Sequence, residues 1–191
     1  ILSLLPSANW TYTRTDDPLY PRHGLRWSTD VLGSLSPDHS PFAQALMETR
    51  WVHPAGAFSR WILREQLGAT LAQDLSDVPL SKRFFAGGDN SVRGFAYQAL
   101  GSRNAEGQIQ GGRYLVTASA EFEQMLWRQW GAAAFVDTGN AFDDSQVNLK
   151  VAAGLGLRWR SPVGPLKLDV AQPLNEPGAG WRLHLTLGSE L

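Results

Sequence analysis

One arginine lies where its charge would need a partner inside the fold. Arg93 stands between Val92 and Gly94 in a long segment, 71–112, that separates two runs of alternating apolar and polar residues. Connections of this length are usually functional or disordered, and the aromatic residues of the segment argue against disorder: Phe84, Phe85, Phe95 and Tyr97. We therefore expect the segment to fold inward. An arginine carried inward loses hydration, so its chemistry is to dock on an anion in a confined site.

The residues around the arginine favour a tight reversal of the chain. Gly87 and Gly88 are followed by Asp89, and these residue types adopt positive φ more readily than others. Gly94, next to the arginine and before Phe95, allows the backbone to approach another surface closely. The segment 83–95 is therefore predicted to form a compact inward loop.

Carboxylates that could receive Arg93 lie on the strands after the loop. Glu121 and Glu123 share the polar face of an alternating run, 113–123, and Asp137 shares a face with Phe135 in the next run. In both runs the opposite face is aliphatic, so we expect the face with the carboxylates to be the inner face of a sheet. The pattern leaves all three carboxylates open as partners.

No other chemistry is indicated. The four histidines are single residues on different elements, without metal-ligand spacing: His23, His39, His53 and His184. Gly87-Gly88 lacks the lysine and the spacing of a phosphate-binding loop, and no Gly-x-Ser-x-Gly run is present. We expect no catalytic residue, no metal site and no cofactor, and therefore no enzyme.

Composition limits the classes of protein. The net charge of 191 residues is −1, with scattered basic residues, which predicts no nucleic-acid partner;. No apolar run is long enough for a membrane helix. Eight tryptophans are present, and aromatic belts at a membrane interface are one use for them.

Nine segments read as strands. They are 2–15, 23–32, 42–53, 58–70, 113–123, 131–137, 149–160, 166–170 and 181–187. The patterning of 42–53 is weak, and periodicity leaves a helix open there.

Short turns and long loops alternate between these segments, so each kind falls at its own end of the sheet. The short ones are 16–21, 54–56, 124–130 and 161–165, and the longer ones are 33–41, 71–112, 138–148 and 173–180. A soluble sandwich also alternates, but it has no reason to separate loop lengths in this way. The layout is typical of an all-β fold, an antiparallel up-and-down transmembrane β-barrel with the long loop folded inward.

The run Arg-Phe-Phe-Ala-Gly-Gly-Asp-Asn-Ser-Val-Arg-Gly-Phe, 83–95, resembles the inserted loop of the BamA, TamA and FhaC superfamily of outer-membrane barrels. It is most similar to the TamA branch, as is the Gly-x-Glu-Leu ending, although the terminal aromatic of many outer-membrane barrels is missing. The run Phe135-Val136-Asp137-Thr138-Gly139 resembles the second signature of the family. The resemblance implies that Arg93 docks on Asp137 and on Glu121 rather than Glu123, with Phe135 packed beside it.

The resemblance also implies an architecture and a location. Barrels of this family have sixteen strands preceded by periplasmic POTRA domains, so 1–191 would be the C-terminal portion of the barrel domain, without those domains and the first strands. We expect a curved open sheet with the Arg93 loop on its concave side. The protein would lie in the bacterial outer membrane, contact its lipid, act on unfolded outer-membrane or autotransporter clients, and work with a TamB-like periplasmic partner.

Two alternatives stay open. An FhaC-like secretion pore would use the same loop to gate a polypeptide conduit, and a dedicated secreted partner would identify it. The second alternative is a barrel domain fused to a hydrolase, and the residues that precede Ile1 would identify it.

The faces also predict how substitutions act. Arginine at Leu155 or Leu185, on the lipid side, should be costly, whereas Thr117→Arg or Gly156→Ser, on the inner side, should cost much less. If Arg93 pairs with Asp137, the charge exchange Arg93→Asp with Asp137→Arg should be tolerated better than either single change.

Overall fold

The computed structural model describes residues 4–34, 40–143, 147–162, 164–176, 178–188 and 191. Within them, nine strands form one antiparallel sheet in the order β1-β2-β3-β4-β7-β8-β9-β10-β11, and β5 and β6 form a separate pair. The strands are β1 (Ser7–Thr15), β2 (Gly24–Ser34), β3 (Phe42–Pro54), β4 (Ser59–Leu71), β5 (Ser102–Arg103), β6 (Ile109–Gly111), β7 (Tyr114–Met125), β8 (Trp130–Phe142), β9 (Lys150–Ser161), β10 (Gly164–Pro173) and β11 (Arg182–Leu187). Each strand of the large sheet pairs with its neighbours along the chain, and the long segment separates β4 from β7. The all-β antiparallel fold is confirmed.

The large sheet is curved and has two free edges in the described part of the chain, β1 and β11. The turn after β1 reaches strands that are far from it in the sheet order. The Tyr20 hydroxyl donates to the Ser161 carbonyl at the end of β9 (2.7 Å), and Arg60 of β4 donates to the Pro21 carbonyl. These contacts require the sheet to curl around a concave face, as predicted.

The convex face carries the apolar residues of the strands. Leu155, Leu183 and Leu185 are more than 60% exposed there. Aromatic pairs bound this face at both ends: Trp61 with Phe122 (ring centres 5.0 Å apart) near the short turns, and Tyr114 with Phe142 (5.7 Å) near the long loops. Aromatic rows that flank an aliphatic band are the pattern of a lipid-facing barrel surface.

One carboxylate departs from this pattern. Glu65 is exposed on the convex face of β4, between Leu63 and Leu67, and its register partners are Thr49 and Ala118. Nothing in the structure explains it.

The long segment covers the concave face. It contains two single turns of 3₁₀ helix, Leu75–Asp77 and Leu80–Lys82, and the β5–β6 hairpin. Its apolar residues pack on the concave face of the sheet, which we call the wall, and form one buried cluster with it. The wall residues of the cluster are Leu115, Ala141 and Ala152, and the loop residues are Phe84, Ala86, Val92, Phe95 and Leu100. The inward position of the segment is therefore maintained by burial of apolar side chains as well as by its charge.

Several strand boundaries differ from the sequence prediction, and one ambiguity is removed. The segment 42–53 is a strand, which removes the helical alternative. The first strand begins at Ser7, and residues 2–3 of the predicted segment lie outside the described residues. The strand predicted to end at Asp137 continues as β8 to Phe142, because residues 138–142 keep pairing with β7 as far as Tyr114.

Parts of four predicted connections and of the C-terminal motif lie outside the described residues. These are 35–39, 144–146, 163, 177 and 189–190. Among the described residues, the chain forms no helix with the length and apolar character needed to cross a membrane.

The convex and concave faces should differ in their tolerance of charge. Leu155→Arg, at a convex position that is 68% exposed, should lower the free energy of unfolding in phospholipid vesicles by about 2–4 kcal/mol near the bilayer midplane. Thr11→Arg, on the concave face of β1 and exposed, is the matched control and should cost far less. Urea unfolding of the vesicle-embedded protein measures both, and equal losses would contradict a lipid-facing convex surface.

Candidate functional site: a loop arginine held by three carboxylates

Tight reversals bring the loop onto the sheet. Gly87 and Gly88 have φ of 101° and 99°, values that favour glycine. The Phe84 amide and carbonyl bond to Gly112 (3.0 and 2.9 Å), which closes the base of the loop. The ring of Phe84 lies where a Cβ on Gly68 of β4 would be. Glycines thus allow the loop to turn and to lie close to the wall.

Arg93 is the centre of the site and is 3% exposed. Its Nε and Nη2 donate to the two carboxylate oxygens of Asp137 (2.8 and 3.0 Å), and its Nη1 donates to Glu121 (2.7 Å) and Asp169 (2.9 Å). Its backbone N–H also donates to Asp137 (3.0 Å), and Nη2 to Ser119 (3.3 Å). The carboxylates come from β8, β7 and β10, so one side chain joins the loop to three strands. We call these four charged residues the arginine site.

Further arginines balance the remaining charge. Arg158 of β9 donates to Glu121 through Nη2 and Nε (2.7 and 3.2 Å) and to Asp169 through Nη1 (2.5 Å). Glu123 binds Arg60 of β4 (2.9 and 3.2 Å). Cations and carboxylates alternate along this group, and no buried side-chain nitrogen or oxygen of the described residues lacks a hydrogen-bond partner. Buried charges are tolerated when they are paired in this way.

Phe135 supplies an aromatic surface for the guanidinium. The Arg93 Cζ atom is 3.4 Å from the centre of the Phe135 ring, a favourable cation–π arrangement. The register partner of Phe135 is Gly154 of β9, and a Cβ there would overlap the ring. The glycine on the neighbouring strand therefore creates the space that the ring occupies.

Gly94 brings the loop backbone against β9 and β10. Its φ is 93°, and a Cβ at this position would lie 3.0 Å from the Ala152 Cβ and 3.4 Å from the Gln172 carbonyl carbon. The Gly94 N–H donates to His184 Nε2 on β11 (3.0 Å). A side chain at this position would be strained by both the backbone and the wall.

Asp89 extends the contacts of the loop to both flanks of the site. Its backbone carbonyl accepts a hydrogen bond from Arg64 Nη1 of β4 (3.2 Å). Its carboxylate contacts His184 Nδ1 of β11. The loop is therefore attached to strands on either side of those that hold Arg93.

Arg93 stays charged in this environment. Burial by itself lowers the pKa of the Arg93 guanidinium, but the hydrogen bond and charge of Asp137, with the charges of Glu121 and Asp169, outweigh it and raise the pKa above its ordinary value. Within the described residues, no three His, Cys, Asp or Glu side chains are arranged to hold a metal ion. The chemistry of the site is electrostatic attachment of the loop.

The structure places the predicted residues together and adds others. Arg93 contacts Asp137, Glu121 and Phe135, whereas Glu123 binds Arg60. Sequence reasoning missed four residues at the site, which are Ser119, Arg158, Asp169 and His184. The alternation of their strands is consistent with an inner face for all four, but it does not indicate which of them the loop reaches.

Two substitutions considered from the sequence meet a more crowded site than expected. Arg93 pairs with Asp137, but Glu121 and Asp169 share its guanidinium, so exchanging the charges of Arg93 and Asp137 would leave both of these carboxylates facing a new anion. Thr117 is not an open inner position, because it is 3% exposed and its hydroxyl donates to Gln66 (3.1 Å).

Comparisons with known proteins identify relatives along almost the whole chain. A family model described as the Omp85 superfamily domain matches residues 3–190. The outer membrane protein assembly factor BamA of Nitratidesulfovibrio vulgaris is 34% identical over 59% of the chain and 15% of that protein. The BamA of Neisseria meningitidis is 22% identical over 89% of the chain and 26% of its own length. A SAM50-like protein of Schizosaccharomyces pombe is 26% identical over 90% of the chain and 41% of its own length.

A solved structure shares the fold. The crystal structure of BamA from Haemophilus ducreyi lacking POTRA domains 1–3 superposes with a TM-score of 0.77 at 20% identity. The match covers 95% of this chain and 40% of the other. The chain therefore spans less than half the length of the relatives and the structure that it matches.

Removing the central cation should loosen the loop. Arg93→Ala leaves three buried carboxylates without their shared partner, and we expect a loss of about 3–5 kcal/mol in the free energy of unfolding. The free energy of unfolding of Arg93→Lys should lie between those of the native protein and Arg93→Ala, because lysine keeps the charge but not the planar fork of donors. Urea unfolding and protease cleavage of the loop are the measurements.

Arg103→Ala is the matched control, because Arg103 is an exposed arginine of the same segment whose guanidinium donates to the Gly107 carbonyl (2.7 Å). If Arg93→Ala and Arg103→Ala cost the same, the arginine site does not hold the loop.

Gly156→Ser should destabilise the protein, contrary to the expectation from sequence. A Cβ on Gly156 would overlap the Asp169 carboxylate and the Arg158 guanidinium. Overpacking of this kind costs about 1–3 kcal/mol, and here it also displaces two charged partners. Gly180→Ser is the control, because no described atom lies within 4 Å of a Cβ at that position. Tolerance of Gly156→Ser in the same unfolding assay would show that these partners are placed differently.

Proposed function

Because the chain belongs to the Omp85 superfamily, we propose that the protein is an assembly factor of the bacterial outer membrane, which helps unfolded β-barrel proteins to enter the bilayer. The curated relatives named as outer membrane protein assembly factors support this function. The chain matches 15% to 41% of the length of these relatives, so their activity is proposed for this protein by similarity.

The observation that carries the proposal is the attachment of one inward loop to the concave wall by the arginine site. Catalysis of a covalent step is not part of the proposed activity. Instead, the loop holds β7, β8 and β10 at fixed positions through Arg93, and it contacts β4 and β11 through Asp89. A wall held in this way keeps its curvature while the edge strands remain available to pair with a client.

The edge strands provide the physical basis for templating. Unpaired backbone N–H and C=O groups in a bilayer cost several kcal/mol each, so an open edge attracts another strand. We propose that 1–191 is the C-terminal portion of a larger barrel domain and that the missing strands, or a client, pair with the edges at β1 and β11. The convex aliphatic band would contact outer-membrane lipid.

The finer assignment is to a TamA-like factor. The run 83–95 and the Gly-x-Glu-Leu ending support it. In this proposal the clients include autotransporters, and a TamB-like periplasmic protein is the partner.

The FhaC-like secretion pore and the barrel fused to a hydrolase are less well supported, because the two BamA relatives are named as assembly factors. A secretion pore would deliver a soluble polypeptide across the bilayer, whereas an assembly factor leaves its client embedded in it. The two activities can therefore be separated in one assay.

The proposed function predicts loop-dependent client insertion. Full-length protein in phospholipid vesicles should accelerate the insertion of an unfolded β-barrel client, measured by its heat-modifiable migration and protease resistance. Arg93→Ala should reduce the rate roughly tenfold or more, because each loss of about 1.4 kcal/mol from the docked loop is a tenfold change in its population. Arg103→Ala should retain the rate. Transfer of the client into the vesicle lumen, or equal rates for both variants, would contradict the proposal.

A further inference from the structure

The last strand of the sheet carries a buried histidine that the arginine site does not use. His184 lies on the inner face of β11 and is 8% exposed. Its Nε2 atom is 3.0 Å from the backbone nitrogen of Gly94, and its Nδ1 atom contacts the carboxylate of Asp89. One side chain of the edge strand thus contacts two separate points of the loop, on either side of Val92.

The two contacts require one arrangement of protons. The Gly94 nitrogen is a backbone amide and can only donate, so Nε2 must be the acceptor. A neutral imidazole has a single N–H, which then resides on Nδ1 and donates to Asp89. The opposite tautomer would place two donors face to face at Gly94 and two acceptors face to face at Asp89.

Gly94 makes the requirement strict. Gly94 is buried, and Ala152 of β9 lies beside it. A buried amide in this position must find an acceptor or lose a hydrogen bond. His184 Nε2 is that acceptor.

We infer that His184 is a positioning residue that fixes the edge strand β11 to the loop through its Nδ1–H tautomer. We call Asp89, Gly94 and His184 the histidine clip. It shares no atom with the arginine site, although the two are adjacent, since the register partner of His184 is Asp169.

Charged groups from four elements lie in or next to the clip. Asp89 comes from the loop and is itself held by Arg64 of β4, Asp169 comes from β10 and binds Arg93, and Arg182 is the next inner-face residue on β11. Within the described sheet, β11 forms a ladder only with β10. The clip is therefore the second attachment of an otherwise singly paired strand, and it makes the position of that strand depend on the loop.

This inference rests partly on the proposed function, because a client that pairs with the edge of β11 would then act on the loop through His184. The clip itself can be tested without any client. The protein to use is the full-length chain in lipid nanodiscs, at neutral pH.

Nitrogen-15 NMR of the histidine rings is the first measurement. The His184 signals are those that disappear in His184→Gln. We expect them to show a protonated Nδ1 and an unprotonated Nε2. Asp89→Asn should move the Nδ1 signal. A protonated Nε2, or a His184 signal that Asp89→Asn leaves unchanged, would overturn the inference.

Amide hydrogen exchange is the second measurement. His184→Leu should speed exchange at Gly94 roughly fivefold, the equivalent of one net hydrogen bond, and should also speed exchange along β11. His184→Gln retains an acceptor near the Nε2 position and should restore part of the protection at Gly94. Thr186→Val, on the same face of the same strand, is the control and should leave Gly94 unchanged.

Equal effects of His184→Leu and Thr186→Val on amide exchange at Gly94 would mean that the histidine only fills space, which overturns the inference.

Client insertion by the same variants then separates the histidine clip from the proposed function. If the clip is present and insertion is unaffected by its loss, the tautomer assignment stands and the coupling to clients fails. If no variant or native protein inserts clients, the proposed function fails while the NMR and exchange results still decide the clip.

Discussion

The charge of a guanidinium buried between a loop and a β-sheet must be neutralised, and the position of the loop on the sheet depends on that requirement. Arg93 without partners would be costly in a confined site, and so would Asp137, Glu121 and Asp169 without Arg93. Because the cation is on the loop and the carboxylates are on three strands, neither part is stable in its observed position alone. The loop and the wall therefore each depend on the other for their charged residues to be neutralised. The two parallel hydrogen bonds from Arg93 to Asp137 fix the orientation of the guanidinium as well as its distance from the carboxylate.

The strands can provide this arrangement because their two faces meet different surroundings. Alternation places aliphatic and aromatic residues on the convex face and charged residues on the concave face, where the loop shields them from water. Glycines then set the clearances. Gly154 accommodates the Phe135 ring, Gly156 leaves room for Asp169 and Arg158, and Gly94 allows the loop to lie on the wall. Small residues at these points are as necessary to the site as the charged ones.

Much of the fold follows from local pattern, and the limits of that pattern have physical causes. A period of two identifies a strand and its faces, which is why nine strands and the inner faces that carry Glu121 and Asp137 could be predicted. The distance along the chain from Arg93 to Asp169 is 76 residues and from Gly94 to His184 is 90 residues, and no local signal encodes such contacts. The loop predicted at 138–148 begins later, because residues 138–142 continue the pairing of β8 with β7. Gly156 looked spacious from sequence because the side chains that fill its space belong to the adjacent strand and to its own.

The central claim is that the Arg93 guanidinium contacts the Asp137 carboxylate when the protein is in a membrane. Solid-state NMR of the full-length protein in lipid bilayers tests it, with nitrogen-15 in the arginine side chains and carbon-13 in the aspartate carboxylates. The account predicts a close dipolar contact between the Arg93 side-chain nitrogens and the Asp137 carboxylate carbon, which disappears in Asp137→Asn when the label is confined to aspartate. Absence of that contact in the native protein would contradict the account.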